Sequence, residues 1–343
     1  MVTLSSNHAK TCKVSIVIKA LNEERNIAAA IQTALDAVAA VGGEVILADS
    51  FSSDRTIEIA LAFPIRVVQL KNPLERCCGI GPQLGYQYVN GEFVYILDGD
   101  MQMLPGFLPE ALAFMDANPK LAGVGGLVVE MNTHSLEYLA RMERATGHMQ
   151  AGPVDRLDMG GLYRRAAVEQ AGYFSNRNLH SYEEFDLAMR LQAKGWQLAR
   201  IAVNAVKHHG HDAPPYALLL RRWKSGYING LGEVLRAAWG QAHWAQLVRS
   251  VRELRLYVAV LVWCLTLGLV WLLELPMLVR AASFTALLVT PVLLMGMRKR
   301  SLEKGLFAVV SWVFNAMGTL RGLLKPQRPV NEAIDSNTLR DLP

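Results

Sequence analysis

The first hundred residues alternate between short apolar runs and longer amphipathic ones, with polar residues at the junctions. The runs "VSIVIKA" (14–20), "EVILADS" (44–50), "IRVVQL" (65–70) and "EFVYILDGD" (92–100) are rich in β-branched and aromatic residues. They are too short for stable helices and predict strands. Residues 22–41, 53–63 and 79–89 carry helical spacing between them. Near-continuous apolar strands separated by helices predict a doubly wound α/β sheet, Rossmann-like and covered on both faces. Ligands of such sheets bind beyond the carboxyl ends of the strands. Asn22, Glu23, Asp49, Asp98 and Asp100 stand at those ends. One aspartate there is ordinary turn chemistry; acids or amides at three separate strand ends mark a candidate site.

Beyond about residue 245 the pattern changes. Leu256–Leu278 is apolar for 23 residues with Glu274 as its only charge, and Ala281–Met297 is uncharged for 17. Gly305–Leu324 is a third apolar stretch, diluted by Ser, Asn, Gly and Arg321. About 20 residues are needed to cross a bilayer core, so two or three membrane-associated helices are expected. "RSVREL" (249–254) and "RKR" (298–300) flank the first two stretches with basic residues. This fits a hairpin or multi-pass anchor in a cell inner membrane with the N-terminal domain on the cytoplasmic side. The expected division is a globular α/β domain over 1–245, membrane helices over 246–330 and a polar tail over 331–343.

Composition agrees with a membrane-associated chain: 52% of residues are hydrophobic and 19% charged. The net charge of +5 is too small to argue for nucleic acid, and a basic membrane-facing surface accounts for it equally well. The cysteines at 12, 77, 78 and 264 have no metal-ligand spacing, and a reduced cytosolic compartment is expected. The first ten residues lack the apolar core of a signal peptide.

Two carboxylates one residue apart at a strand end, as in "DGDMQ" (98–102), suit a hard divalent cation such as Mg2+ or Mn2+. Gln102 is spaced to add an amide oxygen. "YEEFDLAMRL" (182–191) opens a helix with Glu183, Glu184 and Asp186. One acid there is explained by the helix dipole; three are not. "KHHGH" (207–211) gathers His208, His209 and His211 without standard zinc spacing.

The stretches "VSIVIKALNEERNI", "ILADSFSSDRT", "ERCCGIGPQLGYQYVNGEFVYILDGD" and "YEEFDLAMRLQAKGW" follow one another in an order that resembles the family 2 glycosyltransferases. These are inverting enzymes of the GT-A fold, and the resemblance covers roughly residues 13–230; it implies that 1–245 is the catalytic domain, with a nucleotide-sugar half over about 13–130 and an acceptor half over about 131–230. It implies a nucleotide-diphosphate sugar held by Ala20, Asn22, Glu23 and Asp49, with Asp49 toward the base. Arg76 is implied at the diphosphate. Asp98, toward the sugar or ribose, and Asp100 are implied at the metal, with Gln102 and His209 as further candidate ligands. Gly160, Gly161 and Arg164 or Arg165 fall in the acceptor stretch. Glu184 stands where the family has its catalytic base, normally an aspartate; Glu183 is the reserve, and Asp186 holds the loop or helix start. Ser50, Ser52 and Asp54 replace the usual residues after the second strand, which leaves the base open. "LRRWKSGY" resembles an acceptor motif of processive synthases, offering Arg222 and Trp223, but Leu219 stands at its glutamine position. That break and the small membrane part argue against a secreting polymerase.

These features lead to a membrane-anchored inverting glycosyltransferase acting on a hydroxyl of a lipid-linked glycan, in cell-surface polysaccharide or glycolipid synthesis. A polyprenyl-phosphate glycosyltransferase is the alternative of the same fold, supported by "DGDMQ" and the C-terminal hairpin; against it stands "YEEFDLAMRL", because a phosphate acceptor is already ionised and needs no base. A catalytically inactive membrane scaffold is the alternative of another class.

Overall fold

The computed structural model describes residues 12–133, 147–210 and 213–342; His211 and the first ten residues lie outside them. The chain divides into two compact units. One comprises Met1–Leu179, Glu183–Asp212 and Arg328–Pro343, the other His180–Tyr182 and Ala213–Gln327.

The first unit is built on a mixed sheet. Strands β1 (Val14–Ala20), β2 (Gly43–Asp49), β3 (Arg66–Leu70) and β4 (Phe93–Asp98) are mutually parallel in the order β3-β2-β1-β4. They continue through β5 (Met101–Met103), β6 (Leu121–Glu130), β7 (Gly152–Val154), β8 (Gly161–Arg164) and β9 (Gln197–His208). The path is β4-β8-β6-β9-β5, with β7 pairing β9 and β8 antiparallel to both β4 and β6. Val14, Ile16 and Ile18 face one apolar layer and Val17 the other, which is why the strand reads as an unbroken hydrophobic run. Helix α1 (Ile27–Val41) packs in the first layer. It starts five residues later than its periodicity suggests, because Asn22 adopts a left-handed conformation (φ 58°) and residues 22–24 bond to residues 52–56 instead. A short helix, α2 (Thr56–Ala60), follows β2. Helix α3 (Ile80–Tyr86) lies on the other face. A Cβ on Gly85 would come within 2.2 Å of Val17 Cγ1, so glycine lets this helix rest against β1. Helices α4 (Phe107–Ala117), α5 (Arg165–Ala171) and α6 (Glu183–Ala193) complete the layers.

Residues 328–342 are more than a polar tail. Ser336–Arg340 forms β10, antiparallel to β3 at the sheet edge.

The second unit is helical: α7 (Pro215–Ser225), α8 (Gly230–Ala237), α9 (Trp244–Ser250), α10 (Glu253–Leu269), α11 (Met277–Lys299) and α12 (Leu302–Leu324). Residues 213–245 thus group with the apolar helices, and the division falls near 213 rather than at the expected 245. Among the described residues three helical segments are long and apolar enough to cross a membrane: Glu253–Leu272, Met277–Lys299 and Leu302–Leu324. The first expected stretch breaks at Pro276, ahead of α11, so its last two residues open the next helix. Glycines set the spacing between α8 and α12: a Cβ on Gly232 would lie 1.9 Å from the Thr319 carbonyl oxygen. Gly232→Val is expected to destabilise this unit by about 1–3 kcal/mol through overpacking. A thermal melt in detergent checks it; an unchanged midpoint would mean that the two helices can separate freely.

Candidate active site

The parallel register of the first unit brings the three strand ends together. Ala20 pairs with Asp49, and Lys19 with Asp98. Asp49 is fully buried, and both its oxygens are engaged. Oδ1 accepts from Ser52 Oγ (2.5 Å), and Oδ2 from the Ser52 N–H (2.8 Å) and Gln69 Nε2 (3.0 Å). Ser52 Oγ in turn accepts from the Asn22 N–H, and Thr56 Oγ1 from the Glu23 N–H, each at 2.8 Å. Arg76 reaches the same edge, donating from Nε to the Ser50 carbonyl (2.8 Å) and stacking on Phe51 at 5.4 Å.

Lys19 is a site residue that the sequence did not single out. Its Nζ lies 3.0 Å from Asp98, 3.7 Å from Glu183 and 3.8 Å from Glu184. One ammonium therefore ties Asp98, at the end of β4, to both acids at the start of α6. Gly160, Gly161, Leu157, Tyr163 and Phe174 line the same cleft. A Cβ on Gly160 would come within 2.9 Å of Tyr95 Oη, and φ is +92° there, so glycine alone suits this wall.

Electrostatics follow from this crowding. Burial pulls Lys19 toward its neutral form, but Asp98, Glu184 and Glu183 outweigh this and hold it well above its ordinary range. Burial raises Glu183, with Lys19 offsetting part of the effect. Burial and the neighbouring Glu183 raise Glu184 well above the usual carboxylate range, against the pull of Lys19. A carboxylate displaced in this direction is a better proton acceptor near neutral pH than an exposed glutamate.

Asp100 has its own cation. His208 Nε2 lies 3.4 Å from it, and His208 Nδ1 lies 2.7 Å from Glu130. Burial pulls the imidazole down, but its bonds to Asp100 and Glu130 prevail and push it up to about 9. The antiparallel β5–β9 register sets Met101 opposite His208 and Gln102 opposite Lys207. His208, not the favoured His209, is therefore the imidazole at Asp100. His209 gives its backbone N–H to the Asp100 carbonyl, and its ring Nε2 is buried with no hydrogen-bond partner among the described residues. No group of three or more candidate ligands is arranged for an ion among the described residues. A carboxylate with an imidazole nonetheless fits Mg2+ or Mn2+, whose shell is often completed by substrate phosphates.

Several expected residues serve other ends. Arg164 sits opposite Phe93, five residues and about 17 Å along β4 from Asp98. There it stacks on Phe93 and donates to the Met115 carbonyl, so it does not reach the cleft. Arg165 pairs with Glu169 at 3.3 Å. Asp186 is buried and bonded to Arg190 Nε at 2.9 Å, and Arg190 donates to the carbonyls of Ala171, Tyr173 and Phe174. Arg222 and Trp223 belong to the second unit, where they stack on Tyr227 and Phe314.

Comparison with known proteins gives the following likenesses. The family profile described as "Glycosyl transferase family group 2" matches residues 93–299, and "Glycosyl transferase family 2" matches 15–170. "Probable glucomannan 4-beta-mannosyltransferase 6" of Oryza sativa subsp. japonica is 28% identical over 151 residues, 40% of this chain and 26% of that protein. "Glucomannan 4-beta-mannosyltransferase 2" of Arabidopsis thaliana is 29% identical over 149 residues, 40% of this chain and 28% of that protein. The matched stretch thus spans little more than a quarter of these relatives' length. Among solved structures, the mannosyltransferase PcManGT from Pyrobaculum calidifontis, in complex with GDP-Man and Mn2+, superposes with a TM-score of 0.57. It is 15% identical, covering 91% of this chain and 87% of that one. S. aureus TarS 1-349, in complex with UDP-GlcNAc, gives 0.50 at 14% identity, covering 90% and 92%. The fold is GT-A.

The raised Glu184 carboxyl carries a stability consequence. Its elevation favours the fold only at low pH, and this contribution disappears as pH rises through the elevated value. Glu184→Gln is therefore expected to melt higher than the parent near neutrality, with the gap closing toward about pH 4. Melting curves across that range would expose a wrong sign.

Proposed function

Because the chain belongs to glycosyl transferase family group 2, we propose that it is a membrane-anchored, inverting glycosyltransferase. It moves a sugar from a nucleotide-diphosphate donor to a hydroxyl of a lipid-linked glycan. The observation that carries this reading is the contact of Lys19 with Asp98 on one side and Glu183 and Glu184 on the other. Donor-side and acceptor-side acids share one cleft, as a single displacement requires.

In this reading the buried Asp49 accepts from the nucleotide base, and Ala20, Asn22 and Glu23 form the rest of the nucleotide edge. Arg76 faces the diphosphate. Asp98 approaches the sugar or ribose, while Asp100 and His208, with Gln102 nearby, would hold Mg2+ or Mn2+. A cation bound there would neutralise charge on the departing nucleoside diphosphate. Glu184 removes the proton from the acceptor hydroxyl. The freed oxygen bonds to the anomeric carbon as the bond to the diphosphate oxygen breaks on the opposite face. The configuration inverts, the nucleoside diphosphate leaves with the bonding electron pair, and Glu184 keeps the proton until it passes to water. Glu183 stays beside Lys19 and raises the basicity of Glu184.

Three long apolar helices with Arg249, Arg252, Arg298, Lys299 and Arg300 near their ends support attachment to an inner membrane with the catalytic unit cytoplasmic. The mannosyltransferase relatives and the GDP-Man-bound neighbour make GDP-mannose the first donor to try.

The test is a donor screen on detergent-solubilised protein with UDP-, GDP- and TDP-sugars, with Mn2+ or Mg2+ and with or without polyprenyl phosphate. Chelation and Asp100→Ala are each expected to remove turnover. Glu184→Gln is expected to lower transfer by about 10²–10⁴-fold while donor binding persists. Loss of kcat/KM on acidification should centre above the ordinary glutamate range, because the base is inactive once protonated. Turnover that increases with polyprenyl phosphate and survives Glu184→Gln would transfer the assignment to lipid-phosphate glycosylation. Absence of turnover with every donor would favour a scaffold.

A further inference from the structure

Arg177 is 5% exposed and contacts none of the groups assigned to the reaction. One terminal nitrogen lies 2.5 Å from Glu75 Oε2; the other donates to the carbonyls of Glu332 (2.9 Å) and Ala333 (3.3 Å). Glu75 Oε1 also receives Asn72 Nδ2 at 3.1 Å and Arg328 at 3.0 Å. The Arg177 carbonyl accepts from Cys77 Sγ at 3.0 Å, and the Leu179 carbonyl from the Gly79 N–H at 2.9 Å. Asn178 and Arg328 exchange two bonds, at 2.8 and 3.0 Å. Three segments far apart in sequence, 72–79, 175–179 and 328–335, are thus joined within the first unit around one buried guanidinium.

Each segment leads to a different part of the site. The first carries Arg76. The second runs through residues 180–182 into Glu183 and Glu184. The third continues through Ile334, which exchanges two bonds with Gln87, into β10. Asn337 of β10 lies opposite Gln69, the residue whose amide holds Asp49. A lysine could meet Glu75 or the carbonyls, but only the planar fork of arginine serves both in fixed geometry.

We propose that Arg177 is a positioning residue. It fixes the diphosphate-side turn to the segment that delivers the base, with residues 328–340 as the third member of the joint. The C-terminal segment is then a working part of the transferase, although it lies outside both matched family regions. This rests on the roles proposed above for Arg76 and Glu184.

The test uses the full chain with Arg177→Lys, Arg177→Met and Arg328→Ala, read by hydrogen exchange and by steady-state kinetics. Both Arg177 variants are expected to lose about ten-fold or more in kcat and to show a several-fold higher donor KM. Exchange protection should fall together in 72–79, 176–186 and 328–340. Arg328 is half-exposed, so Arg328→Ala should fold and show the same three-segment pattern more weakly even if an Arg177 variant does not fold. Loosening confined to the substituted segment would overturn the proposal, as would parental kcat and KM in a folded Arg177→Lys. If the parent turns over no donor, the functional reading fails, while the exchange pattern still decides whether the three segments are coupled.

Discussion

Asp98, Glu183 and Glu184 converge on a cleft too small to keep three anionic carboxylates apart in water, and the Lys19 ammonium is what allows them to meet. At an effective dielectric near 20, each pair of like charges about 4 Å apart costs about 4 kcal/mol. Lys19 offsets this by lying within 3.8 Å of all three. Its place is set by the sheet, since it is one residue from the end of β1 and registered against Asp98. A slip of one residue would turn it to the opposite face. The other end of β1 guards against that slip. Ser15 Oγ is buried between Glu44 and the N–H groups of Asn90 and Gly91, with contacts of 2.6 to 3.2 Å. A polar anchor of this kind is exacting, because any shift leaves a buried donor or acceptor unpaired.

The cleft walls use the same principle with the signs reversed. Arg200 is 2% exposed and holds carbonyls of Gly126, His148 and Asp158. The last of these lies two residues before Gly160. Arg190 gathers three carbonyls of residues 171–174 while its charge is met by Asp186. Each guanidinium converts irregular backbone, which has no ladder of its own, into a fixed wall.

Legibility in the sequence follows from how each residue acquires its role. The strands β1, β2, β3 and β4 were readable because burial on both faces demands unbroken apolar runs. Asp49, Asp98, Asp100, Glu183 and Glu184 stood out because acids at several strand ends, or three acids at one helix start, exceed what turn chemistry or a helix dipole explains. Lys19 was missed because a single lysine near a strand end looks like solubilising flank until the register against Asp98 is known. His208 and His209 are equivalent in a one-dimensional pattern; only the pairing of β9 with β5 separates them. Arg164 looked suited to the acceptor because it follows Gly160 and Gly161, yet β8 runs antiparallel to β4 and carries it away from Asp98. The strand at 336–340 left no trace, because "SNTLR" at a sheet edge is largely exposed and needs no apolar face.

The two aspartates of "DGD" are served by different cations, and the difference bears on mechanism. Asp98 meets a lysine whose charge is permanent near neutral pH, whereas Asp100 meets a histidine whose charge depends on Asp100 and Glu130. Asp100 and a neutral His208 would hold a divalent ion, with Glu130 orienting the ring, and such an ion would supply the positive charge at Asp100 in place of the imidazolium. No comparable exchange is available at Asp98, where the ammonium offers no lone pair. The strand end therefore separates a fixed electrostatic post at Asp98, joined through Lys19 to Glu183 and Glu184, from one at Asp100 whose cation titrates.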